Sequence, residues 1–226
     1  MEFVSTGVFA LAIACVVLFE NSQAKTTPPK VLFSFVVTGC NRVDKNDVDL
    51  TKNPSTANTA QLERTFDEIA GLNPRPDFLF FAGDMVFGYA SDSTSLAGEL
   101  NAWKNLWEAS SAKKAGIELI PIPGNHETQN AVKVSTAYAE SAWLASMGKY
   151  LGRGGNGPTV HSPESDSLTT DQSKLTYSFD FKNTHFVVTS TDAAGRDWHV
   201  PANWIANDVT QAHQKSTTHH IFLIGH

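Results

Sequence analysis

The chain has 226 residues, two cysteines and a formal net charge of −6. That acidic balance excludes a dedicated nucleic-acid binder, which needs a basic face to meet phosphates. The length beyond the first segment is enough to bury one core and suits a single domain.

The first segment reads as an export signal. Twelve apolar residues run from Val8 to Phe19, followed by Glu20, Asn21 and Ser22-Gln23-Ala24. A bilayer span needs about 20 residues, and small residues at 22 and 24 suit cleavage after Ala24. We therefore expect residues 1–24 to be a signal peptide and 25–226 the folded domain, secreted or periplasmic, with no membrane contact after cleavage. The n-region carries Glu2 and no basic residue, so an uncleaved anchor or a buried N-terminal helix is the alternative. Removing 1–24 leaves 17 basic against 21 acidic residues, a charge of −4, and Cys40 as the lone cysteine.

Val31 to Val37 is a β-branched and aromatic run ending at Thr38-Gly39. A continuous apolar run predicts a strand buried on both faces, as in a mostly parallel sheet. Leu62, Phe66 and Ile69 follow at helical spacing, with Gly71 placed to stop the helix. Pro74 and Pro76 break the chain before a second run, Phe78 to Ala82. Leu96, Leu100, Trp103 and Trp107 mark a second helix, with both tryptophans on its core face, and Ile117 to Ile122 is a third strand. Strand and helix alternating in this way is the pattern of parallel βαβ units. Trp143, Leu144 and Met147 predict another helix.

Residues 152–173 are rich in loop formers. They either cover a site, through Arg153 and His161, or form an ordinary insertion. Leu175 to Phe181 and His185 to Thr191 are spaced as a hairpin. A helix bearing Trp204, Ile205 and Val209 begins near Pro201, and Ile221 to Ile224 is a last strand leading into Gly225-His226. A buried strand running into a Gly-His turn leads us to expect that the natural chain continues.

Polar clusters lie immediately after four apolar runs: Gly39-Cys40-Asn41-Arg42, Gly83-Asp84, Gly124-Asn125-His126-Glu127 and Gly225-His226. In an open parallel sheet, ligands bind beyond the carboxyl ends of the strands. Glycine at each turn brings the next side chain sharply to that rim. Asp84, Asn125, His126 and His226 can therefore converge. Carboxylate, amide oxygen and imidazole together suit Mn, Fe or Zn. Two such ions ~3.5–4 Å apart can activate a water for in-line attack on a phosphate. His126 can then protonate a leaving oxygen, and Arg42 can grip a phosphate oxygen.

Phe81-Ala82-Gly83-Asp84 and Pro123-Gly124-Asn125-His126-Glu127 resemble the second and third signature blocks of the calcineurin-like metallophosphoesterases, a superfamily that includes purple acid phosphatases. Tyr177 to Phe181 with His185 to Val188 resembles the strand pair before the fourth block, and His219 to His226 is similar to that block. The resemblance implies an α/β fold, a layered α/β/β/α sandwich with mixed central sheets. It also implies two divalent or trivalent ions (Mn, Fe, Zn or Mg) and small phosphate-ester substrates. Asp84 would bridge both metals, Asn125 and His226 would bind the second, and His126 would be catalytic.

Two departures follow from that resemblance. The first block normally places an Asp and then a His or another ligand where this chain has Gly39-Cys40-Asn41-Arg42. Cys40 or Asn41 coordinates there, Asp44 swings in, or the first site is rebuilt or emptied. The second departure is that the closing Gly-His-x-His block is not in this sequence. The alternative function is accordingly a binding relative of the fold with an incomplete metal site. Arg42 follows Cys40 too closely for a cysteine phosphatase loop, which leaves an inert thiol or a metal ligand. His185 reads as structural, and His213, His219 and His220 as surface residues.

Overall fold

The computed structural model describes residues 12–15 and 30–226. The segment expected to be a signal peptide lies outside the described residues, except that Ala12–Cys15 forms β1. That strand pairs antiparallel with β2, Ser34–Thr38.

From β2 the chain alternates. Helix α1 is Thr59–Ala70, β3 Phe78–Ala82, α2 Ser93–Ala109, α3 Ser111–Lys114 and β4 Glu118–Ile122. β2, β3 and β4 are parallel neighbours, giving a sheet of order β1-β2-β3-β4. Helices α4, Asn125–Thr128, and α5, Ala137–Met147, come next. The chain then forms the hairpin β5, Tyr177–Phe181, and β6, Thr184–Thr189. Helix α6, Ala202–Gln214, returns it to β7, His220–Gly225, parallel to β6.

The apolar runs of β2, β3 and β4 are buried on both faces because each face meets a different layer, whereas β7, expected to be buried, leaves Leu223 exposed. Phe35, Phe78, Phe80, Ile120 and Ile122 point inward between the sheets, onto Tyr177, Phe186, Val188 and Ile224. Their alternate neighbours Val36, Leu79, Phe81 and Leu119 point outward onto Leu62, Phe66, Leu100, Trp103, Trp107 and Trp143 of the helices. A strand alternates its side chains with period two, so an unbroken apolar run has to be covered twice. Aromatic edges hold the inner layer: Phe35 meets Phe186 at 5.2 Å and 89°. With α6 against the outer face of the second sheet, the order is α/β/β/α, the mixed two-sheet sandwich expected. Among the described residues, no helix is long and apolar enough to cross a membrane.

The helix ends follow their sequence. Asn58 takes the N–H of Gln61, Asp92 those of Thr94 and Ser95, and Thr136 that of Ala139, each closing an otherwise orphan donor. Gly71 ends α1 by donating to Asp67 and Glu68.

Residues 152–173 are not placed as a cover by their contacts. Arg153 forks onto Glu118 at 2.6 and 2.7 Å and stacks on Phe78 and Phe179, at the amino end of β4. Gln172 reaches Glu140, Asp166 reaches Asn203, and Thr169 reaches Ala194. The insertion braces α5 and α6 instead. His185 is likewise structural, held between Asp180 at 2.6 Å and Asp208 at 2.8 Å beneath α6.

Candidate metal centre

The carboxyl ends of β2, β3, β4 and β7 share one rim, and their turns are tied together. Cys40 N–H donates to the Gly83 carbonyl at 2.9 Å, and the N–H groups of Asn41 and Arg42 both donate to the Asp84 carbonyl. The first turn is thereby zipped onto the second. Cys40 and Asp84 both hold positive φ, 55° and 52°, a region that non-glycine residues occupy at a cost of about 1–3 kcal/mol.

Close packing around Asp84 requires glycine at two neighbours. A Cβ at Gly124 would lie 2.6 Å from Asp84 Oδ1, and one at Gly83 would lie 2.6 Å from His226 Nδ1.

Asp84 sits at the centre, its side chain only 7% exposed. Oδ2 is 3.2 Å from Arg42 Nε and 3.8 Å from His126 Nε2. Oδ1 is buried without a hydrogen-bond partner and lies 3.2 Å from His226 Nε2. His226 Nδ1 is committed to the Ala82 carbonyl at 2.9 Å. A carbonyl only accepts, so Nδ1 carries the proton and Nε2 turns its lone pair toward Asp84. In the neutral ring these are two acceptors facing each other, repulsive unless a proton or a metal cation lies between them. Cys40 Sγ joins them: one donor atom from each of Cys40, Asp84 and His226 falls within 4.8 Å of the others. The orphaned oxygen, the oriented imidazole and the nearby thiol fit a metal ion.

His126 is buried beside this group. Its Nδ1 donates to the Phe87 carbonyl, which leaves Nε2 facing Asp84. Burial pushes the imidazole below its ordinary value; the Phe87 carbonyl and Asp84 oppose that, while Arg42 and His226 add to it. Its ring rests on Tyr89, with centroids 3.9 Å apart, and the Tyr89 hydroxyl takes a hydrogen bond from the Asn125 amide. Partial burial, then the Asp84 and Glu127 carboxylates, push the Cys40 thiol up, against the pull of Arg42.

The sequence-predicted residues therefore divide. Cys40, Arg42, Asp84, His126 and His226 come together. Asn125 gives its amide nitrogen to the Tyr89 hydroxyl, beside the His126 ring. Asn41 directs its amide nitrogen to the Asn58 carbonyl at 3.4 Å and leaves its oxygen buried and unpartnered. Asp44 is exposed and caps the turn Lys45–Asp47 through the Asn46 N–H, so it does not supply the missing first-block ligand. The N-cap of α4 is Gly124, and Asn125 is the first residue of the helix.

Sequence reasoning passed over Glu127. It is wholly buried, and its carboxylate accepts from the backbone N–H groups of Asp84, Met85, Val86 and Gly124. It clamps the second turn to the third. Only the bond to Gly124, three residues back, had a local signal, the N3 glutamate of a capping box. Burial, then the Asp84 charge, raise its carboxyl to about 7, although the backbone donors oppose this. Thr56 and Glu99 were also missed. The Glu99 carboxylate accepts from the Thr56 hydroxyl at 2.6 Å and the Gly88 N–H at 3.0 Å, and Thr56 accepts from the Phe87 N–H. Together they shape the loop that presents Phe87 and Tyr89 to His126.

The profile of the calcineurin-like phosphoesterases matches residues 35–226. The chain belongs to that family. Its match takes in all four polar turns. Solved structures similar to this member include a purple acid phosphatase from yellow lupin (Lupinus luteus) seeds, 12% identical over 86% of this chain, with a TM-score of 0.44. A dimetal phosphatase from Danio rerio is 14% identical over 69% of this chain, with a TM-score of 0.39. This phosphoesterase-family chain spans 32% of the lupin protein and 43% of the Danio rerio protein. No curated protein matches the sequence.

Proposed function

We propose that this chain carries the metal centre of a hydrolase acting on small phosphate esters. The observation that supports it most is Asp84 Oδ1, buried and unpartnered at 3.2 Å from the lone pair of His226 Nε2. A metal held there would polarise the phosphoryl group and make a water acidic enough to attack at neutral pH.

The chain's own residues supply the rest. Arg42 presents a guanidinium beside Asp84, suited to a phosphoryl oxygen. His126 holds its Nδ1 proton on the Phe87 carbonyl, so proton exchange with a leaving oxygen falls to Nε2. The Tyr89 ring shields that imidazole on one side. The resemblance implies two ions with Asp84 bridging them, and Asn125 binding the second.

The test is turnover of a chromogenic phosphomonoester and a chromogenic phosphodiester, using the natural chain with any sequence that follows His226. Zinc, manganese or iron should restore hydrolysis after chelation, and Asp84→Asn should abolish it. Equal rates with and without metal would refute the proposal. One observation favours a second reading, a binding protein without catalysis: Arg42 Nε pairs with Asp84 Oδ2 at 3.2 Å, on an oxygen a second ion would take. That reading predicts metal or phosphate binding without turnover.

A further inference from the structure

A carboxylate can bridge two cations by giving one oxygen to each. Asp84 already has a cation on one side, since Oδ2 pairs with Arg42 Nε at 3.2 Å. A guanidinium is permanently charged at any pH the fold survives. The other oxygen, Oδ1, is left buried and unpartnered, facing His226 Nε2 and grouped with Cys40 Sγ.

We infer that this chain has a one-metal form of the centre: a single zinc or ferrous ion held by Cys40 Sγ, Asp84 Oδ1 and His226 Nε2, with the Arg42 guanidinium in place of a second ion. The inference rests on the metal-dependent reading above and goes past it in number, ligand and metal class.

The donor geometry is close to what such an ion needs. With bonds of about 2.0–2.3 Å, tetrahedral zinc sets its donors about 3.5 Å apart. Asp84 and His226 stand at 3.2 Å. The thiol lies within 4.8 Å of a donor atom of each, so closing the site brings it roughly 1–1.5 Å nearer. The residues up to His226 contribute three protein donors, a thiolate, a carboxylate and an imidazole, all of types that zinc takes. Binding releases the thiol proton to solvent, leaving a thiolate. A thiolate selects zinc or ferrous iron over magnesium and manganese. The left-handed backbone at Cys40 and the hydrogen bond from its N–H to Gly83 fix the position from which the thiol reaches that ion.

The experiment uses the natural chain, stripped with chelator and reloaded with cobalt(II), with zinc and manganese measured in parallel. We expect one equivalent of cobalt and a thiolate-to-cobalt charge-transfer band in the near ultraviolet. Manganese should not compete at equal concentration. Cys40→Ser, with a circular dichroism spectrum matching the parent, should lose the band and bind at least about tenfold more weakly. Two equivalents in the parent would overturn the role given to Arg42 and leave the metal-dependent reading standing. One equivalent without the band would overturn Cys40 as a ligand. No bound metal at all would sink both readings.

Discussion

Replacing Glu127 by glutamine isolates the electrostatic strain at the base of the centre. Burial, and then Asp84, raise this carboxyl from 4.5 to about 7. The folded chain therefore holds the proton more tightly than the unfolded chain. That preference stabilises the fold fully below about 4.5 and is lost as pH rises to about 7. At about 1.4 kcal/mol per pH unit, the loss is about 3 kcal/mol across the window. Glutamine does not titrate, but it turns an amide N–H₂ toward two of the four backbone donors now bound. Each donor left facing it costs about 1–3 kcal/mol. The variant should be less stable than the parent at acid pH, and the gap should close by about 3 kcal/mol between pH 4.5 and 7. Urea unfolding in chelator, followed by the fluorescence of buried Trp103, Trp107 and Trp143, measures it. In an Asp84→Asn background the gap should close less, because the second cause of the shift is gone. A gap constant with pH, or one that widens as pH rises, would refute this reasoning.

Three further outcomes follow from the geometry. Gly124→Ala places its Cβ 2.6 Å from Asp84 Oδ1 and should abolish metal binding in calorimetry; retained affinity would show that the turn yields. His126→Gln should lower turnover about 10²–10⁴-fold with metal stoichiometry unchanged, and a parallel loss of metal would make this residue a ligand. If residues 1–24 are an export signal, N-terminal sequencing of the protein made in its natural host should begin at Lys25. An intact Met1 would instead keep Ala12–Cys15 as the edge strand of the first sheet.

The layered fold was legible because the centres of β2, β3 and β4 run apolar without a break. Phe35 and Val36, or Phe80 and Phe81, can both be buried only if layers cover both faces of the sheet. The rim was legible from the glycines that follow those strands, since sharp exits gather the next side chains at one edge. What escaped were bonds across long separations. Glu127 accepts from residues 84–86, some 40 positions upstream. Thr56 meets Glu99 43 residues away. Neither leaves a periodic trace. Arg42 was read as a phosphate grip, and only coordinates show its guanidinium on Asp84. The composition of 152–173 could not say which face it would brace, because loop formers record flexibility and not destination.

Anomalous diffraction from a crystal of the zinc-loaded protein tests the central claim most directly. The account predicts a single zinc peak at the junction of β2, β3 and β7, about 2.0–2.3 Å from Cys40 Sγ, Asp84 Oδ1 and His226 Nε2. A peak away from Asp84, or none at full zinc occupancy in solution, would contradict it.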